Sequence, residues 1–268
     1  MNPICLFALR AVHFVLRHLA SADAAIEKRL NDATADRADY RLLFPPGKVD
    51  AFFERIHLIT HAGGGLSGLS YLNCEEAYET YRTAGNTVFE YDVDRAEDGT
   101  FVLTHDGDGR SLIDERFHPM PLEHCLAELQ SDEALILIFD CKFSDLTEFA
   151  ERLIIEVPAA ADQERIVIQV FNAENIRQVR QVGPFKMLFV CMMGTDYTEA
   201  ANLCLENGIG AVSVSEKALR ERKGWDVFPR SNIRIYAYTV NRVQDYRVLR
   251  GQGVWGVFSD FLTESDIR

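Results

Sequence analysis

Residues 88–94 read V-F-E-Y-D-V-D, and the stretch alternates with the period of two that a β-strand imposes on its side chains. Glu90, Asp92 and Asp94 fall on one face of that strand; Phe89, Tyr91 and Val93 fall on the other. Three like charges on one face, backed by an apolar one, are costly unless a cation or water receives them. Hard divalent ions take such oxygen ligands. The stretch therefore reads as a strand that carries chemistry at one end.

Seven similar runs surround it. With Val88–Asp94 they are His57–His61, Leu135–Lys142, Arg165–Phe171, Met187–Met192, Ala211–Ser215, Arg234–Val240 and Val254–Asp260. Between them lie segments of helical composition: Glu75–Ala84, Pro121–Gln130, Leu146–Ile155, Ala173–Gln181, Tyr197–Asn207, Glu216–Arg222 and Gln244–Arg250. Strands rich in β-branched residues and separated by helices pair in parallel through right-handed crossovers. Eight such units predict an α/β fold, a (β/α)8 TIM barrel over residues 56–268, with an N-terminal helical extension at residues 1–55. An open doubly wound sheet is the competing arrangement, but no G-x-G-x-x-G or G-x-x-x-x-G-K fingerprint supports it.

A barrel collects its active-site residues at the C-terminal ends of its strands. His61, Glu90, Asp92, Asp140, Lys142 and Asn241 all fall there. His105 follows a Glu97-Asp98-Gly99 turn, in a short run that returns towards the Val88–Asp94 strand.

Composition narrows the function. The chain has 268 residues, 47% of them hydrophobic, enough for a large core, and a net charge of −13. That charge argues against nucleic acid as a partner and against nonspecific docking on anionic lipid. Six cysteines are scattered without a C-x-x-C pair, several inside apolar runs, which favours buried thiols in a reducing compartment, the cytoplasm. Residues 1–20 are apolar but interrupted by Arg10, His13, Arg17 and His18. They suit neither a signal peptide nor a transmembrane span. Leu6, Leu9, His13 and Leu16 form a helical stripe, expected to pack on the body of the protein, with weak peripheral membrane contact as the alternative.

Taken in order, the pieces resemble the glycerophosphodiester phosphodiesterase family, within the wider group of barrel phosphodiesterases that includes phosphatidylinositol phospholipase C. The residues that carry the resemblance are His61-Ala62-Gly63, Leu72-Asn73-Cys74, Glu90-Tyr91-Asp92, Asp98-Gly99, His105-Asp106, Asp140-Cys141-Lys142, Val170-Phe171-Asn172, Tyr238-Thr239-Val240-Asn241 and the run Gly253–Asp260. They span roughly residues 56–262 in the family's order. The chain also departs from the pattern. Ala62 stands where the family has a phosphate-binding arginine, Leu72 where it has a glutamate, and Asp140 where it has the longer glutamate. Val170 replaces a serine, Tyr238 a pocket tryptophan, and the segment after His105 is short.

The resemblance implies a metal-dependent phosphoric diester hydrolase acting on a glycerophosphodiester or a related polyol or lipid phosphodiester. Glu90, Asp92 and Asp140 would hold one divalent cation, Mg²⁺ or Ca²⁺. His61 and His105 would be the acid–base pair, since imidazole titrates near neutrality. Lys142 would meet the phosphate, helped by backbone amides of Gly63, Gly64 and Gly65, and Tyr238 would line the pocket. Asn73 and Asn241 are expected to bond within loops, Asp94 to stand behind the ligands or belong to a loop, Asp106 to anchor the His105 loop, and His118 and His124 to be structural. Two alternatives stay open: a phospholipase D- or C-like lyase that releases a cyclic phosphate, and a non-catalytic barrel that binds a phosphorylated ligand. The substrate would be a small molecule or a lysolipid.

Overall fold

The computed structural model describes residues 50–105 and 116–268. These belong to one compact unit, Leu42–Arg268. The expected helical stripe of residues 1–20, the rest of the extension before residue 50, and Asp106 lie outside the described residues.

Among the described residues there are nine strands, with helices between all successive ones but β2 and β3: β1 Leu58–Thr60, β2 Val88–Arg95, β3 Phe101–Leu103, β4 Ile136–Cys141, β5 Ile166–Val170, β6 Lys186–Cys191, β7 Ala211–Ser215, β8 Arg234–Tyr238 and β9 Gly256–Ser259. All but β3 match the eight apolar runs read from sequence. β1 pairs in parallel with β9 on one side and with β2 on the other, so the eight parallel strands close into a barrel. An open sheet is excluded. The seven expected helices also form, the one after β6 spanning Tyr197–Glu206. That helix buries Tyr197, Ala200, Ala201 and Cys204, the spacing by which one helical face meets a core. Side-chain caps start several helices as each strand ends: Asn172 accepts from the Asn175 amide, Ser215 from the Ala218 amide, and Asp196 from those of Thr198 and Glu199.

The strand alternation divides the interior in two. Outward residues such as Leu58, Phe89, Tyr91, Phe139 and Ile168 pack under the helices. Inward residues Ile59, Val88, Ile138, Val167, Leu188, Ala211, Tyr236 and Phe258 fill the barrel itself. Phe53 and Ile56 join this inner cluster from below. The turn Ala51–Arg55 is held there by Tyr236, whose hydroxyl donates to the Phe53 and Ile56 carbonyls, and by Trp255 Nε1, which donates to Phe53.

Following the same parity upward changes the chemistry. Ile59 is succeeded by His61, Val88 by Glu90 and Asp92, Ile138 by Asp140, Tyr236 by Tyr238, and Phe258 by Asp260. Apolar layers plug the barrel, and the polar side chains emerge together at its C-terminal mouth.

The antiparallel strand β3 explains how a residue outside the barrel reaches that mouth. Val93 pairs with Cys141 on one side and with Leu103 on the other. β1 is too short to accompany β2 this far, so β3 takes over its edge. Thr104 N then donates to Asp92 O (3.0 Å), and His105 follows directly beyond.

Candidate active site

β2 and β4 build the acidic centre. Their register sets Asp92 beside Asp140, and one oxygen from each of Glu90, Asp92 and Asp140 lies within 4.8 Å of the others. Glu90 and Asp92 are almost completely buried. Burial first, then the charge of Asp92, pushes Glu90 up to about 8, and burial likewise raises Asp140. Asp92 goes the other way. Burial opposes its charge, but Lys142 and Asn73 hold it below the usual carboxylate range.

Lys142 bridges the pair, its Nζ 2.6 Å from Asp92 Oδ1 and 2.7 Å from Asp140 Oδ2. Although burial works against its charge, the two carboxylates raise its pKa. The remaining oxygens are directed separately. Glu90 Oε2 accepts from the Ala62 amide (2.9 Å), and Asp92 Oδ2 accepts from Asn73 Nδ2 (3.0 Å), while Asn73 Oδ1 accepts from the Asp92 amide (3.0 Å). Asp140 Oδ1 is buried and has no hydrogen-bond partner. Three crowded carboxylates, one with an orphaned oxygen, fit a hard divalent cation.

His61 stands beside this cluster. Its Nδ1 donates to Asp260 Oδ1 (2.7 Å), so that bond uses one of its two ring nitrogens. Asp260 is itself fixed by Asn241, whose Nδ2 donates to Asp260 Oδ2 (2.8 Å) and whose Oδ1 accepts from the Asp260 amide (2.8 Å). Burial opposes a charge on His61, but the Asp260 hydrogen bond and the charges of Glu90, Asp260 and Asp92 outweigh it and raise the pKa to about 9.

His105 lies exposed at the rim. Between the histidines sits Tyr71, its ring centroid 4.8 Å from His61 and 4.9 Å from His105. Tyr238 is half-buried with its ring edge-on to Phe258, and burial foremost pushes its phenol up to about 12.

Most of the residues singled out from sequence converge here, with two adjustments. The Gly64 amide donates to His61 O (2.8 Å) and the Gly65 amide to Asp260 O (2.6 Å), so both are committed within the loop and do not reach for phosphate as expected. Gly63 keeps its place beside His61, in a left-handed conformation against the Tyr91 ring. Asp94 accepts from the Arg95 amide on the far turn of β2. His118 pairs with Glu76 and His124 with Glu75. Sequence reasoning missed Asp260 and Tyr71. For Asp260 a signal existed, since it lies two residues beyond inward-facing Phe258. Tyr71 belongs to a loop with no periodicity to read.

The chain is thus a closed parallel barrel with carboxylates and histidines at its C-terminal mouth. Residues 138–264 match the glycerophosphoryl diester phosphodiesterase family, so the second half of the barrel is similar to that family. The matched segment holds Asp140, Lys142, Asn241 and Asp260; barrel pairing brings His61, Glu90 and Asp92 to it.

Solved structures share the fold. A glycerophosphodiester phosphodiesterase from Parabacteroides distasonis is 20% identical, with TM-score 0.61 over 78% of this chain and 94% of that one. One from Thermotoga maritima is 18% identical, with TM-score 0.56 over 76% and 94%. An Oleispira antarctica phosphodiesterase, solved in complex with the product sn-glycerol-3-phosphate, is 16% identical, with TM-score 0.53 over 77% and 93%. Comparison with curated proteins gave no match. Among the described residues, no helix is long and apolar enough to cross a membrane.

Proposed function

We propose that this protein hydrolyses a glycerophosphodiester or a related polyol or lysolipid phosphodiester, with His61 and His105 as its acid–base pair. The observation that carries the reading is the pairing of Asp260-bound His61 with His105 across Tyr71, beside three clustered carboxylates.

Glu90, Asp92 and Asp140 would hold the cation, Mg²⁺ or Ca²⁺, which when bound neutralises charge at the phosphoryl oxygens. Lys142, tethered to Asp92 and Asp140, adds a fixed positive charge beside the phosphate. His61, held through Nδ1 by Asp260, gives its Nε2 proton to the leaving oxygen. His105 takes the proton of the attacking hydroxyl, whether water's or the substrate's own neighbouring hydroxyl. Asp260 and Asn241 keep the His61 ring in one orientation throughout. Tyr238 lines the mouth against the alcohol portion of the substrate. The five described cysteines are free and buried, in keeping with work in the cytoplasm.

The test is phosphorus NMR on glycerophosphodiesters and lysophospholipids, each with Mg²⁺, Ca²⁺ and Mn²⁺. Monoester product would support hydrolysis, and a persisting cyclic phosphate would favour the lyase reading. His61→Ala and His105→Ala should each lower turnover by at least ~10²-fold, the usual worth of a positioned acid or base. No metal-dependent turnover on any of these substrates would leave the ligand-binding barrel as the better account.

A further inference from the structure

The loop from Ala62 to Asn73 is pinned from several sides. Asn73 N donates to Ala62 O (2.8 Å), Gly65 N to Asp260 O, Leu66 and Leu69 bond each other, and Met120 N donates to Asn73 O (2.9 Å). Tyr81 Oη closes the set by donating to Gly65 O (3.0 Å). Within this frame Ala62, Ser67, Tyr71 and Asn73 all have positive φ, and Tyr71 stands at +58°. A bulky side chain rarely adopts that conformation and keeps it only where its surroundings over-determine it.

The held side chain is 42% exposed, so core packing does not explain it. What it touches does. Its ring meets His61 at 79° and His105 at 66°, edge to face on both sides, a preferred geometry for aromatic pairs. His61 has a second restraint in Asp260. His105 lies exposed just past β3, on the other side of the ring.

We propose that Tyr71 is a positioning residue, a flat spacer whose ring fixes the gap and mutual tilt of His61 and His105. The inference rests on the acid–base reading of those histidines. A spacer of this kind acts on the transition state, because the two proton transfers need their imidazoles a fixed distance apart. The ring carries the role, and the hydroxyl is dispensable to it.

The test combines kinetics with histidine-resolved NMR on the full chain. In Tyr71→Ala, kcat should fall by ~10²-fold, the scale of a small misplacement of reacting groups, while KM changes little. Tyr71→Phe should keep kcat near wild type. The imidazole resonances of both histidines should move towards solvent-exposed positions in Tyr71→Ala and stay put in Tyr71→Phe. If Tyr71→Ala does not fold, Tyr71→Leu replaces it with the same expectation.

Tyr71→Phe as impaired as Tyr71→Ala would overturn the spacer in favour of the hydroxyl. Unchanged kcat and unchanged resonances in Tyr71→Ala would make Tyr71 an ordinary loop residue. A wild-type protein inactive on every phosphodiester, yet with resonances that respond as described, would end the proposed function while upholding the ring geometry.

Discussion

Asp260 holds His61 across 199 residues of sequence, Oδ1 to Nδ1 at 2.7 Å, and so joins the last barrel strand to the first. The bond has a pH signature. In the metal-free protein the His61 pKa is raised from 6.5 to about 9: burial opposes, and the Asp260 hydrogen bond with the surrounding carboxylates prevails. A folded-state pKa above the unfolded one means that the pair's stabilisation is full below about pH 6.5 and is lost as pH rises towards about 9. A histidine NMR titration should therefore find His61 charged at pH 7.5. Asp260→Asn should lower the midpoint and flatten the loss of stability over that window. A wild-type midpoint at or below the ordinary histidine value contradicts this account.

Divalent-ion binding should be linked to protons through Glu90. Its pKa of about 8 without metal comes from burial and from Asp92, and a carboxylate must ionise to bind. Affinity for Mg²⁺, Ca²⁺ or Mn²⁺ should thus climb between about pH 6 and pH 8, by up to ~10-fold per unit. Thermal melts should rise with added ion, by the equivalent of about 2.7 kcal/mol at a hundred times Kd. Asp92→Asn should abolish the rise. An ion-independent melting temperature in the wild type counts against the carboxylate cluster as a metal site.

Lys142→Met tests the bridge between Asp92 and Asp140. Removing the ammonium strands buried Asp92 and half-buried Asp140, at a cost on the order of 3 kcal/mol in the metal-free protein. Urea unfolding should record that loss, and saturating divalent ion should recover much of it. A variant as stable as wild type without metal would mean that the bridge is solvated and energetically idle.

Asn73 grips Asp92 twice, once through each end of its amide, from a left-handed backbone position (φ 45°). Asn73→Ala removes both bonds, and alanine tolerates that conformation less well than asparagine. Metal affinity should drop ~10- to 100-fold, as when other outer partners of ligating groups are lost. Calorimetric titration reads it directly. Equal affinity in the variant would reduce Asn73 to a loop residue.

Sequence exposed some of these relationships and hid others, for physical reasons. Strand alternation in Val88–Asp94 sufficed to aim Glu90 and Asp92 one way and Tyr91 the other, because period two survives whatever packs around it. The eight strand positions followed from apolar runs and helix spacing. The Glu97-Asp98-Gly99 turn revealed the return of His105. The Asp260–His61 bond joins distant segments, and only barrel closure makes them neighbours. Gly64 and Gly65 misled because a glycine run shows backbone freedom but not which amides the loop has already used. Tyr71 was invisible because its position depends on a left-handed loop conformation that no period encodes.

The seam between β1 and β9 also bears on synthesis. A nascent chain makes His61 early and its carboxylate partner some 200 residues later. Until β9 docks, His61 lacks the group that keeps it charged and oriented, although Glu90, Asp92 and Asp140 are already made. The geometry of the mouth thus waits on completion of the ring. Translation that stalls short of Asp260 yields a chain with carboxylates and both histidines, but without the bond that orients His61.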